Sequence, residues 1–385
     1  MNSVYSLKQV ANFVEDRVPS NALSVDTYIS TENLLPNKAG VKNALNLPPK
    51  SSKSPAYRRD DILISNIRPY LKKIWFSNRD GGCSADVLVL RAKDDINPKF
   101  LYYALFRDDF FAHAMRGAKG TKMPRGDKAQ ILEFTIPKFK AQQQEEIVAI
   151  LSTIDAKIDC NNKINAELES VANMLYDYWF VQFQFPDANG KPYKSSGGAM
   201  IYNHVLKREI PPGWNIKELG QIADLYQPKT ISEKEMTNDG KYLVYGANGI
   251  VGRYDQYNHE ESMVAITCRG NSCGEINITR PYSWITGNAM IVKPKTNVSI
   301  DYLFNTLKRS GINKIITGSA QPQITRSNLS PLSILCPDES LIADYTLRVS
   351  AGFKKRIFVL RENELLENLR DWLLPMLMNG QVTIL

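Results

Sequence analysis

The sequence predicts an α+β protein. A β-rich globular domain occurs twice, and two long antiparallel coiled-coil helices separate the copies about a pseudo-two-fold axis. Three observations predict this. First, Glu145–Val181 contains neither Pro nor Gly, and its apolar residues recur every seven positions. Ile147, Ile154, Leu168 and Leu175 form one register, and Ile150, Ile164, Val171 and Tyr178 the other. Second, a helix of similar length is expected from about Asp338 to Leu374, with a less regular stripe. That stripe comprises Val349, Phe353, Ile357, Leu360, Leu366, Leu369 and Leu373. Third, segments of the first third of the chain recur in order later on. Asp61-Ile-Leu-Ile-Ser matches Met263-Val-Ala-Ile-Thr, Asp86-Val-Leu-Val-Leu matches Asn288-Ala-Met-Ile-Val, and Asn97-Pro-Lys-Phe-Leu matches Ser299-Ile-Asp-Tyr-Leu. These three stay in step at about 200 residues, which is the mark of a duplicated domain.

In chain order, the first globular domain covers residues 1–140. It opens on Tyr5-Ser-Leu-Lys-Gln-Val, which is aligned with Trp214-Asn-Ile-Lys-Glu-Leu. Short β-branched runs (Ile62–Ser65, Val87–Leu90) read as strands, and Phe100–Arg107 as a short helix. The first long helix falls within residues 141–183 and would span about 55 Å. Asn161 stands in its seam, where a polar residue costs stability but can fix the register of pairing. Residues 184–209 are rich in Pro, Gly and Ser, lack periodicity and read as a connector. The second domain covers residues 210–337 and repeats the pattern at Met263–Thr267, Ala289–Val292 and Tyr302–Arg309. Residues 338–385 hold the second long helix, with Asp338 as N-cap and Pro375 expected to end or kink it.

Bulk composition narrows the function. No apolar run reaches the roughly 20 residues that cross a bilayer, so no membrane partner is expected. Five cysteines, an odd and sparse set, point to a reducing cytoplasm. The net charge is +8, and residues 1–140 carry 23 Lys and Arg against 14 Asp and Glu. That excess favours an acidic partner such as nucleic acid.

A catalytic centre is not apparent. The phosphate loop Gly-x-x-x-x-Gly-Lys-Ser/Thr is missing. Gly246-Ala-Asn-Gly-Ile-Val-Gly252 has the wrong spacing, and no helix follows it as a dinucleotide fold requires. Asn46-Leu-Pro-Pro49 has the wrong order for a methyltransferase motif. Cys268 and Cys273 lack a second ligand pair for zinc, so no metal site is expected.

What remains is a set of DNA-binding candidates on loops. Arg116, Lys119, Lys122 and Arg125 lie among glycines in one half, and Gln321, Gln323 and Arg326 occupy the equivalent loop of the other. Lys50, Lys53, Arg58 and Arg68 add donors in the first domain, and Lys229, Tyr245, Asn248, Arg253, Arg269 and Asn271 in the second. Lys and Arg hold phosphates. Gln and Asn can pair with adenine, and Arg with guanine, in the major groove. A single such cation is more often a solvated loop residue, but their recurrence after corresponding strands favours nucleic acid.

On these residues the chain resembles the specificity (S) subunit of Type I restriction–modification systems. Tyr245-Gly-Ala-Asn-Gly-Ile-Val-Gly, Ile266-Thr-Cys-Arg-Gly-Asn-Ser-Cys-Gly, Trp284-Ile-Thr-Gly-Asn-Ala-Met and Gly318-Ser-Ala-Gln-Pro-Gln-Ile look like that family's target recognition domain. Asn165-Ala-Glu-Leu-Glu, Trp179-Phe-Val and Leu369-Arg-Asp-Trp-Leu-Leu-Pro-Met-Leu look like its helical spacers. In the first domain Gly120-Thr-Lys-Met-Pro-Arg replaces the commoner Gly-x-x-Gln. The resemblance implies a non-catalytic subunit in which each domain reads half of an asymmetric, bipartite DNA site. The helices would set the spacing and dock two methyltransferase (M) subunits through the stripes named above. S-adenosylmethionine, used to methylate adenine N6, would belong to those partners, and ATP and Mg²⁺ to a restriction and motor (R) subunit. No cofactor is expected in this chain. The rival reading is a coiled-coil adaptor that binds protein partners and has no DNA specificity.

Overall fold

The computed structural model describes all residues except 1–3, 238, 247–248, 271, 296–297, 319–320 and 383–385. The chain divides into two compact units. Unit 1 is Met1–Cys160 with Asn363–Leu385, and unit 2 is Asn161–Glu362. Each unit therefore takes a share of both long helices.

In unit 1, a four-stranded antiparallel sheet has the order Ala11–Phe13, Val87–Ala92, Ile62–Ser65, Ile74–Phe76. Its central strands are almost wholly apolar because both faces are covered. Leu88, Leu90, Ile62 and Ile64 pack beneath the helix Pro98–Phe106 in one core, while Leu63, Val87 and Val89 face a second. Asn97 starts that helix, its side chain accepting from the Lys99 and Phe100 amides, and Pro98 follows at the first helical position. The opening strand Val4–Ser6 pairs with Thr135–Pro137, so the two ends of the domain meet before the long helix begins.

Unit 2 repeats this frame. Its sheet has the order Ala223–Tyr226, Ala289–Pro294, Val264–Thr267, Ile276–Ile278. Ile64 faces Leu88 in unit 1, and Ile266 faces Met290 in unit 2. Ser299 caps the helix Ile300–Arg309, and Asn215–Glu218 pairs with Ser333–Cys336. The opening of the repeat is displaced from the alignment expected above. Gln9 bonds back to the Ser6 amide and Gln221 to the Glu218 amide, so Leu7 corresponds to Leu219 and not to Ile216. A slip of three residues, close to one helical turn, still lays apolar on apolar, and this is what hid it in the sequence.

The first long helix is Ala141–Tyr176, followed by a π-helical turn at Asp177–Val181. The second is Glu339–Met378. At 1.5 Å per residue they are about 54 and 60 Å long. In unit 2, Asn161 Nδ2 donates to Glu362 at 2.8 Å, Arg356 meets Glu169 at 3.0 Å, and the Tyr345 hydroxyl reaches the Ala172 carbonyl at 3.4 Å. Partners rise along one helix as they fall along the other, so these segments run antiparallel. In unit 1, Arg370 bonds Asp155 at 3.1 Å, and Ile147, Leu151, Leu374, Leu377 and Met378 share its main core.

The seam differs from the expected stripe in one of its two registers. Ile147, Leu151, Ile154, Ile158 and Asn161 are buried. Leu168 and Leu175 are half-buried in line with them. Ile150 and Ile164 are only half-buried, and Val171 and Tyr178 are exposed. From Ile147 a step of three gives Ile150 and a step of four gives Leu151. Both are apolar, and only the partner surface decides between them.

On the second helix, Val349 is buried, and Phe353, Ile357, Leu360, Leu366 and Leu373 are half-buried. Leu369 is exposed, and its neighbour Arg370 turns inward instead. A guanidinium paired with Asp155 and lying 4.6 Å from the centre of the Phe106 ring can occupy a seam position that a purely apolar pattern assigns elsewhere.

Pro375 does not end the helix. A proline so near the terminus removes only one intrahelical bond, and the burial of Leu377 and Met378 holds the final turn. The expected connector is also structured. Phe185 stacks on Tyr193 and Trp214, and Ile201–Asn203 forms a hairpin with Arg208–Ile210.

Candidate nucleic-acid interface

In both units the two inner strands of the main sheet end at a loop, and a glycine-bearing hairpin is tied to it. In unit 1, Lys119 and Arg125 exchange backbone bonds, Arg125 bridges to Ile67, and the Arg68 amide donates to the Pro124 carbonyl at 2.7 Å. In unit 2, Thr317 and Gln323 exchange the same bonds, Gln323 bridges to Arg269, and the Gly270 amide donates to the Pro322 carbonyl at 3.2 Å. Gly120 and Gly318 take φ of +97° and +86°, the left-handed turn that closes each hairpin. Asp127 and Thr325 then cap the short helices that follow.

One backbone thus presents two sets of side chains. Unit 1 offers Arg125 and, at the tip, Lys122, with Lys119 and Arg116 beside them, all exposed. Lys119 approaches Asp127 at 3.8 Å, and Arg116 meets the His113 ring at 3.2 Å. Arg68 sits in the left-handed region (φ +51°), matched by Gly270 (φ +85°) in unit 2. A non-glycine residue there costs about 1–2 kcal/mol, and this one carries an exposed guanidinium. Unit 2 offers Gln321, Gln323, Arg269 and Arg326, also exposed. Asn248 and Asn271 lie outside the described residues.

Other expected site residues stand apart from these hairpins or do other work. Lys53 and Arg58 belong to the second sheet of unit 1 (Arg17–Pro19, Lys53–Tyr57, Gly81–Cys83, Tyr28–Ile29) and its exit, with Lys50 just before it. Arg58 approaches Asp16 at 3.6 Å. Lys229 is exposed beyond the strand Ala223–Tyr226.

Two further expected contacts, Tyr245 and Arg253, are bonded within the fold. The Tyr245 ring is buried, its hydroxyl accepts from the Arg280 amide at 3.1 Å, and burial raises its pKa. Arg253 is half-buried and donates to the Gly240 carbonyl at 2.9 Å. A motif-level reading marks the β-hairpin Tyr242–Tyr254 but not which of its side chains face inward.

Cys268 is buried, accepts from the Gln227 side-chain amide at 3.1 Å and has its thiol pKa raised by burial. Among the described residues no group of His, Cys, Asp and Glu could hold a metal, and no helix is long and apolar enough to cross a membrane.

One residue missing from the sequence reading is Asp86. Its carboxylate meets Arg125 at 3.0 Å, and its carbonyl accepts from the Asn66 amide. Asn288 takes the corresponding place in unit 2, its carbonyl accepting from the Cys268 amide. The repeat alignment already set Asp86 against Asn288, and that was the available signal.

A duplicated sheet-and-hairpin with exposed cations and amides, joined to long helices, defines a class of DNA-recognition protein. Residues 3–170 and 211–344 match the Type I restriction modification DNA specificity domain, and the chain belongs to that family. It is 24% identical to the Type I restriction enzyme HindI specificity subunit of Haemophilus influenzae, over 98% of this chain and 99% of that one. It is 25% identical to the MjaIX specificity subunit of Methanocaldococcus jannaschii, over 76% of this chain and 71% of that one. The fold is similar to that of the Type-I restriction-modification system S subunit from M. genitalium, with a TM-score of 0.52 at 17% identity, covering 98% and 96% of the two chains.

Proposed function

We propose that the chain is the address-bearing, non-catalytic subunit of a Type I complex in the cytoplasm, reading a bipartite, asymmetric site on double-stranded DNA. Each hairpin, with the loop bound to it, enters one half-site. The long helices run antiparallel as a ruler that sets the unspecified spacer. Half-sites read from one face of B-DNA lie about 34–36 Å apart, a distance that struts of about 54–60 Å can bridge. The helices also dock two methyltransferase subunits, which bring S-adenosylmethionine and modify adenine N6. A separate restriction subunit brings ATP and Mg²⁺.

The observation that carries this reading is the same hydrogen-bonded hairpin in both units with different side chains on it, as two different half-sites require. Mapping methyladenine genome-wide, in cells with and without the chain, tests it. A two-part motif that vanishes with the chain is the expected result. Methylation that persists unchanged overturns the proposal.

A further inference from the structure

Among the side chains that differ between the two hairpins, one exposed pair is held by the same two backbone bridges in each unit. Arg125 holds the position in unit 1 that Gln323 holds in unit 2, fixed in each case by a bridge to the hairpin's other strand and a bridge to the loop after the central strand. The residue behind it changes in concert. Asp86 lies 3.0 Å from the Arg125 guanidinium, and Asn288 stands at the matched place in unit 2. An acid pairs with the Arg in unit 1, and at the matched position of unit 2, in the turn before Ala289–Pro294, an amide replaces it, so charged chemistry in one unit gives way to neutral chemistry in the other. The Asp86 contact involves one arm of the guanidinium and leaves the side chain more than half exposed, with donors still free to point outward.

The chemistry of base edges separates the two. A guanidinium fork matches the O6 and N7 acceptors of guanine, whereas a carboxamide matches the N6 donor and N7 acceptor of adenine. We propose that Arg125, steered by Asp86, reads a guanine in one half-site, and that Gln323 reads an adenine in the other. This deepens, and rests on, the reading of the chain as a DNA specificity subunit. It makes Arg125 and Gln323 specificity-determining residues and Asp86 a positioning residue.

The test uses the full chain with its methyltransferase partners in cells, and methyladenine sequencing as the readout. The native motif is expected to hold a guanine in one half and an adenine in the other. In Arg125→Gln, and more cleanly in Arg125→Gln combined with Asp86→Asn, preference for that guanine falls roughly 5- to 150-fold. The second half of the motif stays as it was, which also shows that the variant folds. Gln323→Arg produces the mirror change in the other half. Arg125→Lys keeps the charge but loses the fork, and it relaxes the same position.

A native motif lacking guanine in one half overturns the inference, as does an Arg125→Gln motif identical to the native one. An affinity loss uniform across duplex sequences, with a shallower salt dependence, also overturns it, because that is the signature of a phosphate contact. A native complex that yields no motif at all overturns the proposed function itself, a result distinct from these three.

Discussion

In unit 1, Leu90, Val89, Leu88 and Val87 face Ile62, Leu63, Ile64 and Ser65. In unit 2, Val292, Ile291, Met290 and Ala289 face Val264, Ala265, Ile266 and Thr267. The strand order, the capped helix over the sheet and the hydrogen-bonded hairpin beyond it also correspond. The second sheets do not. Unit 1 builds four strands, with Lys53–Tyr57 antiparallel to Gly81–Cys83. Unit 2 builds three, with a bulged hairpin of Tyr242–Gly246 and Gly249–Tyr254 whose first strand runs parallel to Trp284–Ile285. The lesson is that burial on both faces holds the first sheet to one solution. A sheet with one open face is free to diverge.

If the main sheets are equivalent, matched cavities should cost alike. Ile64→Ala and Ile266→Ala each remove a buried side chain from the inner strand, and each is expected to destabilise its own unit by about 3 kcal/mol. Hydrogen exchange, followed separately in peptides of the two units, gives the measurement. A difference of more than about 1.5 kcal/mol between the pair would break the equivalence.

The helix pairings offer a sharper contrast. Arg370 in unit 1 is largely buried, holds Asp155 at 3.1 Å and lies over Phe106, and Asp155 also accepts from the Tyr103 hydroxyl at 2.6 Å. Arg356 in unit 2 is more open, one of its buried nitrogens lacks a partner, and its acid Glu169 keeps a second cation in Lys308 at 2.9 Å. Arg370→Ala takes a largely buried guanidinium from the half-buried Asp155 carboxylate and from the face of Phe106, leaving Asp155 the Tyr103 hydroxyl alone, and is expected to cost about 2–3 kcal/mol. Arg356→Ala leaves Glu169 paired and partly solvated, so about 1 kcal/mol is expected. Equal losses in urea unfolding would show that the surviving Lys308 contact contributes nothing.

Much of this frame could be read from the chain. The strands at Ile62 and Val87, their copies, both long helices and the corresponding glycine hairpins follow from periodicity and repetition. What stayed hidden depends on a partner surface. The choice of Leu151 over Ile150 and the inward turn of Arg370 beside an exposed Leu369 are decided by the facing helix. The inward placement of Tyr245 and Arg253 is decided by hydrogen bonds to Arg280 and Gly240. The three-residue slip at Leu219 shows the limit from the other side, since a helical period makes wrong alignments look apolar.

A pH-dependent difference separates the helices over the two sheets. Asp301 is buried in the first turn of Ile300–Arg309, where unit 1 has the half-exposed Lys99 in the matching helix. Burial raises the Asp301 pKa from 3.8 to about 6, with Arg356 opposing the shift. Below the ordinary value the group is protonated in both the folded and unfolded states. Between 3.8 and 6 only the folded state keeps the proton, so the stability of unit 2 falls as pH rises through that window. Above pH 6 the full cost of a buried carboxylate remains. Asp301→Asn removes it, and the variant should exceed the native chain by about 1–3 kcal/mol at pH 7 and by little at pH 4. His259, whose pKa is lowered by burial and by Lys293, works in the opposite direction, costing unit 2 stability as pH falls below 6.5. It is present in both chains, however, and cancels in their difference. A variant weaker than native at pH 7 would mean that Arg356 holds Asp301 ionised. Lys99→Gln in unit 1 should show no such pH dependence, which would confine the effect to the copy that buried its acid.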